Sequence, residues 1–308
     1  MNYEDIKNID QLFDLYVELN KNIIAKKTLG TNISYYSNHI ALLFSHRSID
    51  EINPIEYQIF ANNLLEKINP RTGKNYKPKT VKNILYVISE IYNTATYIKS
   101  YEGENPIKQV KLPKFDNKTY LNMSCEDMKA YINAINNFDE PIFKDIFQLL
   151  LHGERLGVAL NLKFEQFNIS RGVIFVPSET NKQSRDREFK ITSKLFDSLR
   201  HIHIYAKIMQ STSIPTGYMF INPNTNRPFT DIRRPWKRLL GGADLPYINL
   251  HKIRNVVATY AINCKKMHME TVSKALGHSS IEITQQYYID ENINSSLEVL
   301  ESILGEED

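Results

Sequence analysis

The chain has 308 residues, of which 42% are hydrophobic and 24% are charged, which is ordinary for a soluble globular protein. This length allows two domains, each with its own core. The formal net charge of +3 is too weak to indicate a nucleic-acid partner, so the local placement of the cations matters more. Apolar runs such as residues 146–151 are far shorter than a membrane span, and the polar start lacks a signal-peptide pattern. We therefore expect a cytoplasmic protein with no membrane contact.

The two cysteines, Cys125 and Cys264, lie in distant segments and have neither CxxC nor metal-ligand spacing. We expect both to be reduced residues with a structural role. The sequence also lacks HExxH, GxxxxGK[ST] and GxGxxG patterns, so we expect no metal, ATP or nicotinamide cofactor.

Hydrophobic residues at helical spacing predict four or five short helices in the first hundred residues. Residues 29–32 predict a break, with Thr31 or Asn32 capping the following helix. Pro54 predicts the start of another helix. This region therefore reads as a small helical domain.

The stretch 69–82 has turn residues and no acidic residue, and it contains five cations: Arg71, Lys74, Lys77, Lys79 and Lys82. Its last residues begin a strongly amphipathic helix. Because the start of a helix is a favourable place for a phosphate, we predict that this stretch contacts the DNA backbone. The alternative is a solvated surface loop, since most charged runs are of that kind.

Asn105-Pro106 and Pro113, with lysines between them, predict an extended connection. We place a helical domain at residues 1–112, a linker at 113–119 and a second domain at 120–308. In the second domain, Ser124 and Asp127 approximate a capping box. Segments 172–177 and 187–192 predict two strands joined by a polar turn.

Helices are predicted at 142–151, 195–205, 228–240 and 251–264, and a further one is capped by Ser279. The fold class is therefore mainly α, with an N-terminal helical domain and an α+β domain that carries a small antiparallel sheet. We find no internal repeat.

Three separated segments carry residues suited to breaking a phosphodiester: 153–157, 251–254 and 276–288. Tyr287 can act as the nucleophile, and Arg155 and Arg254 can hold phosphate oxygens in a fork that lysine cannot match. His251 and His278 can donate hydrogen bonds to those oxygens or move a proton near neutral pH.

A lysine in the turn between the two predicted strands could reach the leaving 5′-oxygen as general acid, and Lys182 is the natural candidate. Each of these signals is weak alone, because a lone arginine is usually on the surface and a lone tyrosine on an amphipathic helix is usually in the core. His152, His201 and His203 have no such partners in the pattern and are interpreted as structural or surface residues.

The order and spacing of these segments resemble the tyrosine recombinase (phage integrase) family. The matching residues are Gly153-x-Arg155, His251-x-x-Arg254 and Leu276-Gly277-His278, followed after nine residues by Tyr287. The N-terminal half, with Thr80-Val81-x-Asn83 and Asn105-Pro106, also resembles the family's helical, SAM-like core-binding domain.

The resemblance implies that Tyr287 attacks the scissile phosphate and forms a 3′-phosphotyrosine, without ATP or metal. It implies that Arg155, Arg254, His251 and His278 bind the transition state and that Lys182 protonates the 5′-oxygen. The implied partner is double-stranded DNA in the nucleoid, bound by a homo-tetramer on two sites. The tail from Ile293 onward would dock on a neighbouring protomer or, alternatively, on its own domain.

The chain begins directly with the core-binding region, so we expect no arm-binding domain. That organisation is similar to a Xer-type resolvase, used in chromosome partition, or to a simple integrase. The resemblance leaves open whether the role is chromosome-dimer resolution, integration or inversion, and whether a helper protein is needed.

Two residues depart from the family pattern. Val158 stands where an acidic residue commonly follows the first arginine, and Glu154 is a possible replacement. Glu179 stands where the lysine of the turn often lies, which leaves Lys182 as the first candidate and Lys190 as the second. These departures motivate two alternatives: a DNA-binding protein that has lost cleavage, and a type IB topoisomerase-like enzyme.

Overall fold

The computed structural model describes residues 3–115, 121, 123–180 and 186–277. The chain forms two compact units that divide between residues 117 and 118. Within the described ranges, no helix is both long and apolar enough to cross a membrane.

The first unit is helical, as the sequence predicts. Its helices are α1 (Ile9–Asn20), α2 (Lys26–Tyr35), α3 (Ala41–Phe44), α4 (Pro54–Glu66) and α5 (Pro78–Tyr97). A π-helical turn (Tyr36–Ile40) joins α2 to α3, and a short hairpin of β1 (Ile68–Asn69) and β2 (Lys74–Asn75) precedes α5. Helix α5 lies at the centre of this unit, because its apolar residues at helical spacing are almost completely buried.

The predicted break at residues 29–32 is wrong, because α2 runs straight through Gly30. Leu29 is buried in the core of the unit. Asn32, expected to be a cap, is also buried and donates a hydrogen bond from Nδ2 to the Tyr16 hydroxyl at 2.9 Å. The burial of Leu29 and this satisfied polar contact outweigh the cost of about 1 kcal/mol for a glycine inside a helix.

The second unit combines helices with a small sheet. Its helices are α6 (Cys125–Asn136), α7 (Pro141–Leu151), α8 (Leu156–Leu160), α9 (Ser193–Met209), α10 (Arg233–Gly242), α11 (Ile253–Thr259) and α12 (Met269–Ala275). Strands β3 (Phe167–Asn168), β4 (Val173–Val176) and β5 (Arg187–Lys190) form one antiparallel sheet in that order. A separate hairpin contains β6 (Ile221–Asn222) and β7 (Arg227–Pro228). The predicted fold class is confirmed.

Local sequence signals mark the starts of two helices in this unit: a capping box at α6 and Pro141 as the first residue of α7. The Ser124 hydroxyl accepts from the Asp127 backbone N–H, and the Asp127 carboxylate accepts from the Ser124 N–H, so the predicted capping box is confirmed. The predicted helix at 228–240 begins later, at Arg233, because Pro228 pairs with Ile221 in the hairpin. Helix α12 was not predicted.

Cys125 and Cys264 form a disulfide bond, so the prediction that both are reduced is wrong. Cys125 begins α6, and Cys264 ends the π-helical turn Tyr260–Cys264 that follows α11. Because α6 packs against that turn, the two Cα atoms lie 5.8 Å apart although 139 residues separate them in sequence. No short-range pattern in the sequence carries that information.

Gly153, just after α7, packs directly against Leu276, which follows α12. Gly153 has φ +85°, and a Cβ atom there would lie 2.5 Å from Leu276 Cδ2 and 3.2 Å from Leu276 Cα. Only glycine combines this backbone conformation with so close an approach.

We expect the disulfide to stabilise the second unit by about 3–5 kcal/mol, because it closes a loop of more than a hundred residues in the unfolded chain. The Cys125→Ser/Cys264→Ser variant should unfold at lower urea than the wild type, as followed by the fluorescence of Trp236, the only tryptophan. Wild-type protein treated with a reductant should match the variant. Two free thiols titrated in the denatured, untreated wild type would contradict the bond.

Gly153→Ala should lower the free energy of unfolding by about 2–4 kcal/mol, from strain at positive φ and overlap with Leu276. Gly157→Ala is the matched control, because Gly157 is exposed within α8 and a Cβ there meets nothing within 4 Å. That change should stabilise the protein by up to about 1 kcal/mol. Equal effects in urea denaturation would show that the contact with Leu276 has no energetic role.

Candidate active site

Arg155 is held in a tight connection between α7 and α8. The His152 ring stabilises this connection: Nδ1 donates to the Gln148 carbonyl at 2.7 Å, and Nε2 accepts from the Thr192 N–H at 3.0 Å. Burial lowers the pKa of His152, which agrees with a neutral ring in this pair of contacts. His152 is therefore structural, and Arg155 directly precedes α8 with a partly buried side chain.

Glu154 points into the interior and forms an ion pair with Arg187 at the start of β5. The Glu154 side chain is only 1% exposed and that of Arg187 is 15% exposed. Arg187 Nη2 donates to Glu154 Oε2. The Arg187 guanidinium also lies over the Phe189 ring, 5.6 Å from its centroid. The connection that carries Arg155 is therefore tied to the sheet through a buried charge pair.

Arg254 reaches the same neighbourhood from α11. Its Nη2 donates to the Leu276 carbonyl at 2.7 Å. Leu276 in turn packs on Gly153. Arg187 approaches Gly277 so closely that its Nη1 would lie 3.0 Å from a Cβ atom built on that glycine. The three segments that the sequence predicts to converge, carrying Arg155, Arg254 and Leu276-Gly277, therefore meet in the fold.

The site, as far as the structure describes it, contains three guanidiniums around one carboxylate. Burial raises the pKa of Glu154, while the guanidiniums of Arg187, Arg254 and Arg155 oppose that shift. Burial, and then the charge of Arg187, lower the pKa of Arg155. Arginine nevertheless stays protonated in proteins, so the cluster carries an excess of positive charge.

Three buried polar atoms of this cluster have no hydrogen-bond partner in the described part of the chain: Glu154 Oε1, Arg155 Nη1 and Arg187 Nε. Buried donors without partners are costly, and they are satisfied when a ligand supplies acceptors. Two of the three are guanidinium donors, so the cluster is suited to an anion with several oxygens, such as a phosphate diester.

His251 lies on a 3-10 turn (Leu250–Lys252) immediately before α11, three residues from Arg254. Its side chain is exposed, and its backbone N–H donates to Asn249 Oδ1 at 3.1 Å. The Asn249 side chain thus fixes the backbone that presents His251.

The remaining predicted site residues, Lys182, His278 and Tyr287, lie outside the described residues. The described ends of the β4–β5 connection are held together by the Ser178 N–H, which donates to Asp186 Oδ1 at 2.7 Å. Lys182 belongs to that connection by sequence, and His278 directly follows Gly277. Their roles stay predictions.

The basic stretch of the first unit is a surface feature. Its five cations, Arg71, Lys74, Lys77, Lys79 and Lys82, all have exposed side chains. None of them forms an ion pair with another described residue. The stretch comprises the β1–β2 hairpin and the first turn of α5. Its cations are therefore available to an external anion.

Within the described ranges, no group of three or more histidine, cysteine, aspartate or glutamate side chains is arranged to hold a metal ion.

Arg187 belongs to this cluster but was not among the predicted site residues. A signal was present, because side chains alternate across a strand and Arg187 shares the half-buried face of β5 with Phe189, while Glu188 and Lys190 are exposed. An arginine on the inward face of a strand needs a partner, and Glu154 is that partner.

Comparison with known proteins identifies the family. The phage integrase family model matches residues 122–294, which is more than half of the chain. A probable integrase/recombinase of Acholeplasma phage L2 is 24% identical over 294 residues, covering 91% of this chain and 92% of the phage protein. The shufflon-specific DNA recombinase of Escherichia coli is 20% identical over 242 residues, 78% of this chain but only 59% of that protein.

Solved structures share the fold. The Tn1549 transposon integrase in complex with a circular intermediate DNA has a TM-score of 0.67 at 17% identity, covering 92% of this chain and 95% of that one. A lambda integrase tetramer bound to a Holliday junction has a TM-score of 0.66 at 15% identity, covering 92% and 78%. The chain belongs to the phage integrase family of tyrosine recombinases, as the family match over residues 122–294 shows.

Proposed function

We propose that this tyrosine recombinase cleaves and rejoins double-stranded DNA at specific sites through a 3′-phosphotyrosine at Tyr287. The observation that carries the proposal is the convergence of Arg155 and Arg254 from distant segments, beside the Leu276-Gly277 segment that leads to His278. Family membership supports the same reaction class.

In the proposed reaction, a DNA phosphate binds between the guanidiniums of Arg155 and Arg254, which neutralise the charge that develops on its non-bridging oxygens. The Tyr287 phenol gives its proton to an imidazole of the site as its oxygen attacks phosphorus in line, so a P–O bond to tyrosine forms and the bond to the 5′-oxygen breaks. Lys182 gives its proton to that 5′-oxygen, while His251 and His278 donate hydrogen bonds to the phosphate.

The phosphotyrosine bond retains the energy of the broken diester. A 5′-hydroxyl from a second duplex can therefore attack phosphorus, release Tyr287 and restore a DNA strand without ATP. This exchange distinguishes recombination from simple cleavage.

We assign core DNA binding to the helical region, residues 1–112, with its basic stretch along the phosphate backbone. By analogy with the lambda integrase tetramer on a Holliday junction, we propose a homo-tetramer that joins two DNA sites in the nucleoid. The tail from Ile293 would dock on the neighbouring protomer. The same chemistry serves chromosome-dimer resolution and integration or excision, and the DNA products of a recombination assay distinguish these roles.

A second candidate function is sequence-specific DNA binding without cleavage. The observation that favours it is Val158, which is buried in the hydrophobic core and supplies no carboxylate near Arg155. A topoisomerase-like activity would share the covalent step but would relax supercoils without exchanging strands between duplexes.

We expect wild-type protein to form a covalent protein–DNA complex that survives SDS. The probe is a pool of nicked duplexes with a randomised centre. A nick beside the cleaved phosphate lets the short fragment that carries the new 5′-hydroxyl dissociate, so the cleavage cannot be reversed and the complex is trapped. Tyr287→Phe, which lacks only the attacking oxygen, should abolish the complex, and Tyr288→Phe is the matched control that should retain it.

Sequencing the trapped DNA should reveal one enriched motif, which then defines a substrate for further assays. Specific binding by the wild type without any covalent complex would support the DNA-binding alternative instead. Relaxation of supercoiled plasmid without exchange between duplexes would support the topoisomerase-like one.

The basic stretch can be tested by salt titration of binding to a short random-sequence duplex. Lys79→Gln/Lys82→Gln should reduce the slope of log affinity against log salt by about 2, since each lost phosphate contact removes about 0.9. Lys26→Gln/Lys27→Gln removes the same charge from an exposed part of α2 and should change the slope less. Equal slopes in the two variants would contradict the placement of DNA along the stretch.

A further inference from the structure

The Glu154–Arg187 ion pair differs from every other ion pair in the described part of the second unit. The other four have side chains that are 33–77% exposed, whereas Glu154 and Arg187 are 1% and 15% exposed. Removing two charges from water is costly, so a buried pair is a poor way to increase stability. A buried pair beside Arg155 and Arg254 is better explained by what it holds in place.

The charges around Glu154 are unbalanced. One carboxylate faces the guanidiniums of Arg187, Arg254 and Arg155. Glu154 Oε2 accepts from Arg187, while Glu154 Oε1 and Arg155 Nη1 are buried without hydrogen-bond partners in the described residues. Without the carboxylate, the guanidiniums of Arg155 and Arg187 would repel each other, since the charge of Arg187 already lowers the pKa of Arg155.

Arg187 connects this charge centre to the segment before His278. Its Nη1 would lie 3.0 Å from a Cβ atom on Gly277, which has φ +62°. The Arg187 guanidinium also lies over the Phe189 ring, 5.6 Å from its centroid. Arg187 therefore lies next to both Glu154, the carboxylate beside Arg155, and Gly277.

We propose that Glu154 and Arg187 act together as positioning residues for DNA cleavage. Glu154 holds the guanidiniums of Arg155 and Arg187 close together in the absence of DNA, and Arg187 braces the Gly277 backbone against that centre. The pair prepares the site before the phosphate arrives, so its loss slows the chemical step more than it weakens DNA binding. This inference rests on the proposed function.

The experiment uses the full chain and single-turnover cleavage of a nicked duplex that carries the motif enriched by covalent trapping. At saturating DNA, Glu154→Gln and Arg187→Gln should each lower the rate constant for covalent complex formation at least tenfold, while DNA affinity changes less than threefold. The double variant should be no more than threefold slower than the slower single variant, because the two residues act as one unit. Arg187→Lys keeps the charge opposite Glu154 and should lose less than Arg187→Gln.

The matched control is the exposed pair of Arg171 and Glu188, which links β5 to the residues before β4. Arg171→Gln/Glu188→Gln should leave the rate constant within twofold of the wild type. The rate constant is taken from the time course, so it does not depend on the folded fraction, and urea midpoints are measured for every variant.

The inference is overturned if the wild type forms the covalent complex and the Glu154 and Arg187 variants form it at the wild-type rate. It is also overturned if the two single effects on the rate constant multiply in the double variant. A lower yield of covalent complex that follows the urea midpoint, with an unchanged rate constant, overturns it as well. In these cases the proposed function stands. Absence of a covalent complex with the wild type itself would overturn both.

Discussion

The buried carboxylate of Glu154 is the constraint on which the rest of the site depends. Arginine side chains repel one another, and the Glu154 carboxylate offsets that repulsion where Arg187, Arg254 and Arg155 approach it. The arrangement leaves an excess of positive charge and two buried guanidinium donors, Arg155 Nη1 and Arg187 Nε, without hydrogen-bond partners among the described residues. An incomplete charge balance of this kind is costly in the isolated protein and favourable when a phosphate completes it.

The fold brings these side chains together by using the ends of elements. Arg155 lies between α7 and α8, Arg187 begins β5, and Arg254 is near the start of α11. Such positions are fixed by rigid elements but are less enclosed than the middle of a helix or strand. The contact between Gly153 and Leu276 then places the segment after α12 against the connection that carries Arg155.

Much of this could be predicted from sequence because the signals are local. Hydrophobic spacing predicts the helices, two segments flanking a polar turn predict β4 and β5, and the Ser124–Asp127 capping box marks the start of α6. Arg155 and Arg254 were paired as site residues by resemblance, and their roles stay predictions, although the fold brings both near Glu154. What could not be predicted depends on long-range packing. The disulfide joins residues 139 apart, and Asn32 is satisfied by Tyr16 from another helix. Arg187 was missed because an arginine in a short strand looks like a surface residue until its buried partner is known.

The disulfide also divides the residues of the candidate site into two topological classes. Arg155, Arg187 and Arg254 all lie between Cys125 and Cys264 in the chain, and so they belong to one covalently closed ring. Tyr287 and the tail beyond it follow Cys264 and lie outside that ring. The disulfide therefore places no covalent constraint on the segment that bears Tyr287, the proposed nucleophile, whereas the three arginines are enclosed in one loop of covalent bonds.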